Sequence, residues 1–233
     1  MEKKKKPRPA PPQPVTEIAF ILDGSGSMEA HVGAAIGGFN EFLADQQQVA
    51  GMGRLTLVLF DDVIETPVEH IPLCEVVPLD GRTYTTRGCT ALIDAIGLTI
   101  ESFDRWIAAT PAASGPVQVI FAIFTDGLEN ASSRFSWKQL AARIKERQEK
   151  NGWQFLFLGA NQDAIATAAQ MNIHAGNAAT ATFSDKGVRG SSRAFSRKAK
   201  AMRESLLAEE AVPMSGDLHR PLDEILREEE ERD

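Results

Sequence analysis

Short, almost uninterrupted apolar runs alternate along this chain with longer segments in which apolar residues recur every three or four positions. Residues 18–22, 55–60, 117–124 and 153–158 are the runs. Continuity over so few residues marks strands buried on both faces of a sheet. Within 29–48, Val32, Ala35, Ile36, Phe39, Phe42 and Leu43 form one apolar stripe of a helix. Residues 91–108 and 137–150 have the same period, 163–171 is a short Ala-rich helix, and 186–207 is a closing basic helix. The acidic pair Asp61-Asp62 turns the chain from one run into 63–70. That hairpin signal predicts an antiparallel strand at a sheet edge, where Pro67 is tolerated. Residues 181–183 read as a last edge strand. The alternation predicts an α/β fold: a doubly wound, mainly parallel central sheet with one antiparallel edge strand and helices on both faces, Rossmann-like in architecture.

Composition changes the picture mainly at the two ends. Of 233 residues, 43% are apolar, enough for a packed core, so a chain disordered throughout is excluded. The net charge is −7, but residues 1–9 carry +4 and residues 209–233 carry −7. Residues 1–15, Lys-rich and then Pro-rich, read as an arm; 16–207 as the folded domain; 208–233 as an acidic, solvated tail. The remaining middle is mildly acidic, which argues against nucleic acid as a partner. Neither a membrane-spanning run nor an apolar stretch behind the basic start is visible, so neither insertion nor secretion is expected. Two cysteines, Cys74 and Cys89, are too few for a disulfide scaffold. They are expected to stay unbonded, in a cytoplasmic protein.

The candidate chemistry lies where strands end. The first run closes in Asp23-Gly24-Ser25-Gly26-Ser27, directly before the first long helix. In an open parallel sheet, ligands bind outside the carboxyl ends of the strands. A tight turn there aims one carboxylate and two hydroxyls at a single point. The most apolar run ends in Thr125-Asp126-Gly127, adding a second carboxylate, and Thr90 adds a hydroxyl at the start of the helix over 91–108. These are hard oxygen donors, suited to Mg²⁺. The pentapeptide alone also admits a second, weaker reading, a glycine-rich turn with a serine helix cap.

Taken together, Asp23, Ser25, Ser27, Thr90 and Asp126 resemble the metal-ion-dependent adhesion site of the von Willebrand factor A domain family: an Asp-x-Ser-x-Ser loop, a distant Thr and a distant Asp. The phrases Gly88-Cys89-Thr90-Ala91-Leu92 and Phe124-Thr125-Asp126-Gly127 are similar to the bacterial intracellular branch, which includes members associated with tellurite resistance, prophage and defence clusters. The resemblance covers about residues 16–206. It departs at Cys89, where glycine is common. It implies a non-catalytic binding module in which those five residues hold Mg²⁺ or Mn²⁺. A protein partner would complete the metal shell with an acidic side chain, and the closing helix would shift as the metal loop rearranges.

Other residues are weaker candidates. Met28, Arg87, Glu129 and Asn130 flank the five and are expected at the rim that meets the partner. Asp94 reads as a first-turn helix acid that could also support the metal loop. The four histidines have no zinc-like spacing. The competing reading is a Mg²⁺-dependent phosphoryl-transfer hydrolase of haloacid-dehalogenase-like type. That chemistry needs a second Asp two residues after the first, and position 25 is Ser.

Overall fold

The computed structural model describes residues 14–110, 115–160, 163–207 and 216–232. Six strands, β1 (Val15–Asp23), β2 (Met52–Phe60), β3 (Ile64–Pro72), β4 (Val117–Thr125), β5 (Gln154–Ala160) and β6 (Ala178–Ala181), form one sheet in the order β3-β2-β1-β4-β5-β6. All neighbours are parallel except β2 and β3. β3 is the expected antiparallel edge, and its pairing with β2 breaks register twice. Pro67, Pro72 and those irregularities blunt the edge against further pairing.

The helices are α1 (Val32–Gln48), α2 (Leu92–Ala109), α3 (Trp137–Asn151), α4 (Ala164–Gln170), α5 (Asp185–Leu207) and α6 (Leu222–Glu231). Because strand side chains alternate between faces, β1 sends Ile18, Phe20 and Leu22 one way and Ala19 and Ile21 the other. The first set meets α1, α5 and α6, with the Phe20 ring 5.3 Å from Phe39 and 4.8 Å from Phe42. The second meets α2, α3 and α4. Two apolar layers thus clamp the sheet and leave its carboxyl edge to the loops. The chain order reverses between β1 and β4, and the crevice of such a fold lies there.

Three expectations are corrected. The first helix begins at Val32, because Gly26–His31 forms a tighter 3₁₀ turn. The last strand is Ala178–Ala181 rather than 181–183. Alanine has little strand preference, and pairing with β5 decides the matter. The tail is not solvated over 216–232: Leu222, Ile225 and Leu226 of α6 are buried in the layer with α5. Glu230 also accepts a hydrogen bond from the Thr182 amide, 2.8 Å away beside the β6 edge. The arm expected over 1–15 lies outside the described residues except for 14 and 15, and Val15 already belongs to β1. Residues 208–215 of the tail are also outside them.

Candidate metal centre at the carboxyl edge of the sheet

β1 delivers Asp23 to the edge, and three contacts fix it there. Its backbone carbonyl accepts from the Tyr84 hydroxyl at 2.5 Å. Its Oδ1 accepts from the Ser25 amide at 2.7 Å and its Oδ2 from the Thr125 hydroxyl at 2.5 Å. The loop leaves the strand under restraint. The Gly24 amide donates to the Phe60 carbonyl, and the Arg87 amide to the Gly24 carbonyl. Ser25 and Ser27 then stand with their hydroxyls 3.1 Å apart, and Ser27 donates to Asp126 Oδ1 at 2.8 Å. Asp126, one residue beyond β4, thereby closes a chain running Asp23, Ser25, Ser27, Asp126.

Thr90 approaches from the third loop. Its amide donates to the Asn130 side-chain carbonyl at 2.9 Å, and its own carbonyl accepts from the amides of Asn130 and Ala131. A Cβ on Gly127 would come within 2.7 Å of the Thr90 hydroxyl. Glycine at 127 is therefore what lets that hydroxyl pack against the backbone just after Asp126. Gly88 is required for a second reason, since its φ is +64° and a side chain there would collide with Asp62. The structure thus brings all five oxygen-bearing residues to one place. Asp23, Ser25, Thr90 and Asp126 are buried, while Ser27 is exposed and marks the opening.

The electrostatics of this cluster are unrelieved. Burial pushes the Asp23 carboxyl up to about 6, against the lowering effect of its bonds to Thr125 and Ser25, and nearby Asp126 adds to the rise. Burial also raises Asp126, opposed by Ser27 and by the charge of His31. Among the described residues neither carboxylate is in a salt bridge. Arg87 is committed elsewhere, donating to Asp61 at 2.7 Å and to Glu65 at 2.5 Å. His31 is held by Asp185 at 2.6 Å. The Oδ2 oxygen of Asp126 is buried with no hydrogen-bond partner among the described residues. Two buried carboxylates, a run of hydroxyls and one orphaned oxygen fit a hard divalent cation, which takes oxygen donors of this kind. No group of three or more His, Cys, Asp and Glu is found among the described residues, so a cation here depends on the hydroxyls.

The expected rim is only partly a rim. Met28 is fully buried under the 3₁₀ turn, where its apolar side chain joins the α1 layer. Glu129 accepts from the amides of Ile93, Ala131 and Ser132, tying the loop after β4 to the first turn of α2. Asn130 holds Thr90. Arg87 is exposed but bound by its two acidic partners. Asp94 does more than complement the helix dipole: it accepts from the amides of Ser133, Arg134 and Phe135. Sequence reasoning missed Tyr84 and Thr125 as the clamps on Asp23. A strand-terminal Thr next to Asp126, and the chain's only Tyr, were the available signals.

No family model and no curated relative matches the chain. Solved structures do. A von Willebrand factor type A structure from Catenulispora acidiphila superposes with TM-score 0.52 at 14% identity, over 81% of this chain and 43% of its own. Proximal thread matrix protein 1 from the mussel byssus, with a zinc-occupied MIDAS motif, gives 0.55 at 16%, over 81% and 46%. The vWF domain of the type V pili tip protein Mfa5 from Porphyromonas gingivalis gives 0.57 at 15%, over 87% and 99%. This chain spans less than half the length of the first two. At such identities the likeness is one of fold, and the fold of this chain is that of the von Willebrand factor A domains, with the oxygen cluster at the carboxyl edge of its sheet.

Proposed function

We propose that the chain is a non-catalytic, divalent-metal-dependent module that binds a protein, with Asp23, Ser25, Ser27, Thr90 and Asp126 holding Mg²⁺ or Mn²⁺. One observation carries this reading: among the described residues the two buried carboxylates are in no salt bridge, and Asp126 Oδ2 accepts no hydrogen bond. Buried anions are ordinarily paired or ligate a metal. The zinc-occupied motif of the mussel protein supports the metal assignment.

When bound, the ion supplies a Lewis-acidic position for an acidic side chain of the partner. The chain's own residues do the rest. Thr125 and the Ser25 amide orient the Asp23 carboxylate, and Tyr84 fixes its backbone. Ser27 leaves the site open on one side, and Asn130 sets the position of Thr90. The cavity beside the site, between Gly24, Asp61, Thr85 and Arg87, is small, about 20 Å³, room for about one water. A shallow edge of this kind suits a protein surface better than an enclosed small substrate. The phosphoryl-transfer reading has no comparable support, since Ser25 stands where its second carboxylate is needed.

The same reading places the module in a bacterial cytoplasmic system, as a scaffold or switch, where the exposed, unbonded Cys74 and Cys89 would remain reduced. Among the described residues, no helix is long and apolar enough to cross a membrane. The test is calorimetric titration of Mg²⁺ and Mn²⁺ into the full chain and into Asp23→Ala. One ion should bind per wild-type chain, and the variant should fold but take up none. Equal uptake by both proteins, or none by the wild type, would overturn the assignment.

A further inference from the structure

The loop after β4 is pinned along its length. The Gly127 amide donates to the Thr125 hydroxyl at 3.2 Å. The amides of 130 and 131 bond to the Thr90 carbonyl, Glu129 binds the amides of 131 and 132, and Asp94 binds those of 133, 134 and 135. Yet this loop presents Leu128 with 66% of its surface exposed. Here the bonds on either side of it hold the backbone, so Leu128 is kept facing solvent, two residues from Asp126. Exposed Ile165 in the first turn of α4 and exposed Val63 in the β2–β3 turn lie on the same carboxyl edge.

We propose that Leu128 is the specificity residue of this edge, and that its occupant is an extended protein segment carrying an acidic residue with an aliphatic or aromatic residue two positions away. This rests on the metal-dependent reading above. Consecutive Cα atoms are 3.8 Å apart, so the backbone of Leu128 lies at most about 7.6 Å from that of Asp126. In an extended strand, residues i and i+2 point to the same side and are about 6.8 Å apart. On a segment that runs along the loop after β4, an acidic side chain directed to the oxygen cluster would set the side chain two positions away over Leu128. Because the loop is already ordered, burying Leu128 incurs little further loss of backbone freedom, which is the condition for a strong anchor. The charge balance agrees. The nearby cation Arg87 is neutralised by Asp61 and Glu65, so without a metal the edge repels an acidic segment.

The test uses an array of synthetic peptides, each with one Asp or Glu at a fixed position and with Leu, Phe, Ser or Lys placed in turn at each neighbouring position. It is probed with the full chain in Mg²⁺ and in chelator. Chelator-sensitive binding should be strongest for Leu or Phe two positions from the acid, by roughly tenfold over Ser, as expected for a well-buried interface side chain. Leu128→Ser, exposed and so expected to fold, should lose that preference while keeping Mg²⁺-dependent binding to the acid; Leu128→Met should keep both. Chelator-sensitive binding without an apolar preference, or a preference unchanged in Leu128→Ser, would overturn the role of Leu128 and leave the metal reading standing. No chelator-sensitive binding to any acidic peptide would overturn both.

Discussion

Asp23 and Asp126 at the carboxyl edge, and Asp217 and Glu228 in the C-terminal segment, are carboxylates placed by the fold in opposite surroundings. The first two are buried among hydroxyls and both are raised, Asp23 to about 6. The other two face arginines. Arg197 grips Asp217 with two bonds of 2.9 Å, and Glu228 accepts from Arg220 at 2.6 Å and from Arg197 at 2.8 Å. Burial pushes Asp217 up, but the bonds and charges of Arg197 and Arg220 outweigh it and hold it low. Arg220 and then Arg197 bring Glu228 down to about 2. Carboxylates that the chain neutralises itself hold its own parts together, here α6 against α5. Carboxylates left without a counter-charge are available to a cation from outside. The segment 209–233 carries the denser negative charge, −7, but what decides is whether the counter-charge is already present.

Replacing an acid by its amide should therefore act oppositely in the two regions. Asp126→Asn removes an unrelieved buried charge, so the metal-free chain should unfold at the same or a higher temperature. Its affinity for Mg²⁺ should nevertheless fall by more than about a hundredfold, beyond the roughly 10- to 100-fold that follows loss of an outer supporting hydrogen bond. A metal-free variant clearly less stable than wild type would break the contrast. Thr125→Val probes such a supporting bond directly. By freeing Asp23 Oδ2 it should weaken Mg²⁺ by about 10- to 100-fold in the same titration; unchanged affinity would show that the Thr125 bond does not position the ligand.

In the tail the sign reverses. Arg197→Ala leaves Asp217 without its two-pronged partner, and urea denaturation should show a loss of about 1–2 kcal/mol, discounted from the cost of breaking a fully buried pair because the group is partly solvated. Mg²⁺ uptake should not change. The smallest effect is one of pH. Asp217 and Glu228 have folded values below their unfolded ones, so their contribution is complete above the ordinary carboxylate range of about 4 to 4.5 and fades as pH falls towards 2. The stability gap between wild type and Arg197→Ala should narrow over that window. A gap that stayed constant down to pH 2 would locate the stabilisation in packing rather than in these charges.

Much of the fold was legible because burial on both faces demands continuous apolar runs, and β1, β2, β4 and β5 have them. Four of the five oxygen-bearing residues were legible for a local reason: Asp23, Ser25, Ser27 and Asp126 lie at or just beyond the ends of β1 and β4, and strand ends of a parallel sheet converge at one edge. Thr90 was reached by the family resemblance and by its place at the start of a helix. Met28 was misjudged because proximity in sequence to Ser27 says nothing of the side on which a 3₁₀ turn sets a side chain.

What the sequence determined by itself was thus periodicity and the chemistry of strand ends, since both are set by residues close together in the chain. Tertiary structure alone decided the fate of α6 and β6. A ten-residue acidic helix is marginal in water, and Leu222, Ile225 and Leu226 make it stable only where the α5 layer covers them. The Ala178–Ala181 segment becomes a strand only because β5 offers its open edge. Tertiary structure also decided that Tyr84 and Thr125, 61 and 102 residues beyond Asp23, would clamp it. Contacts between residues so far apart depend on how the layers meet, and no local pattern encodes them.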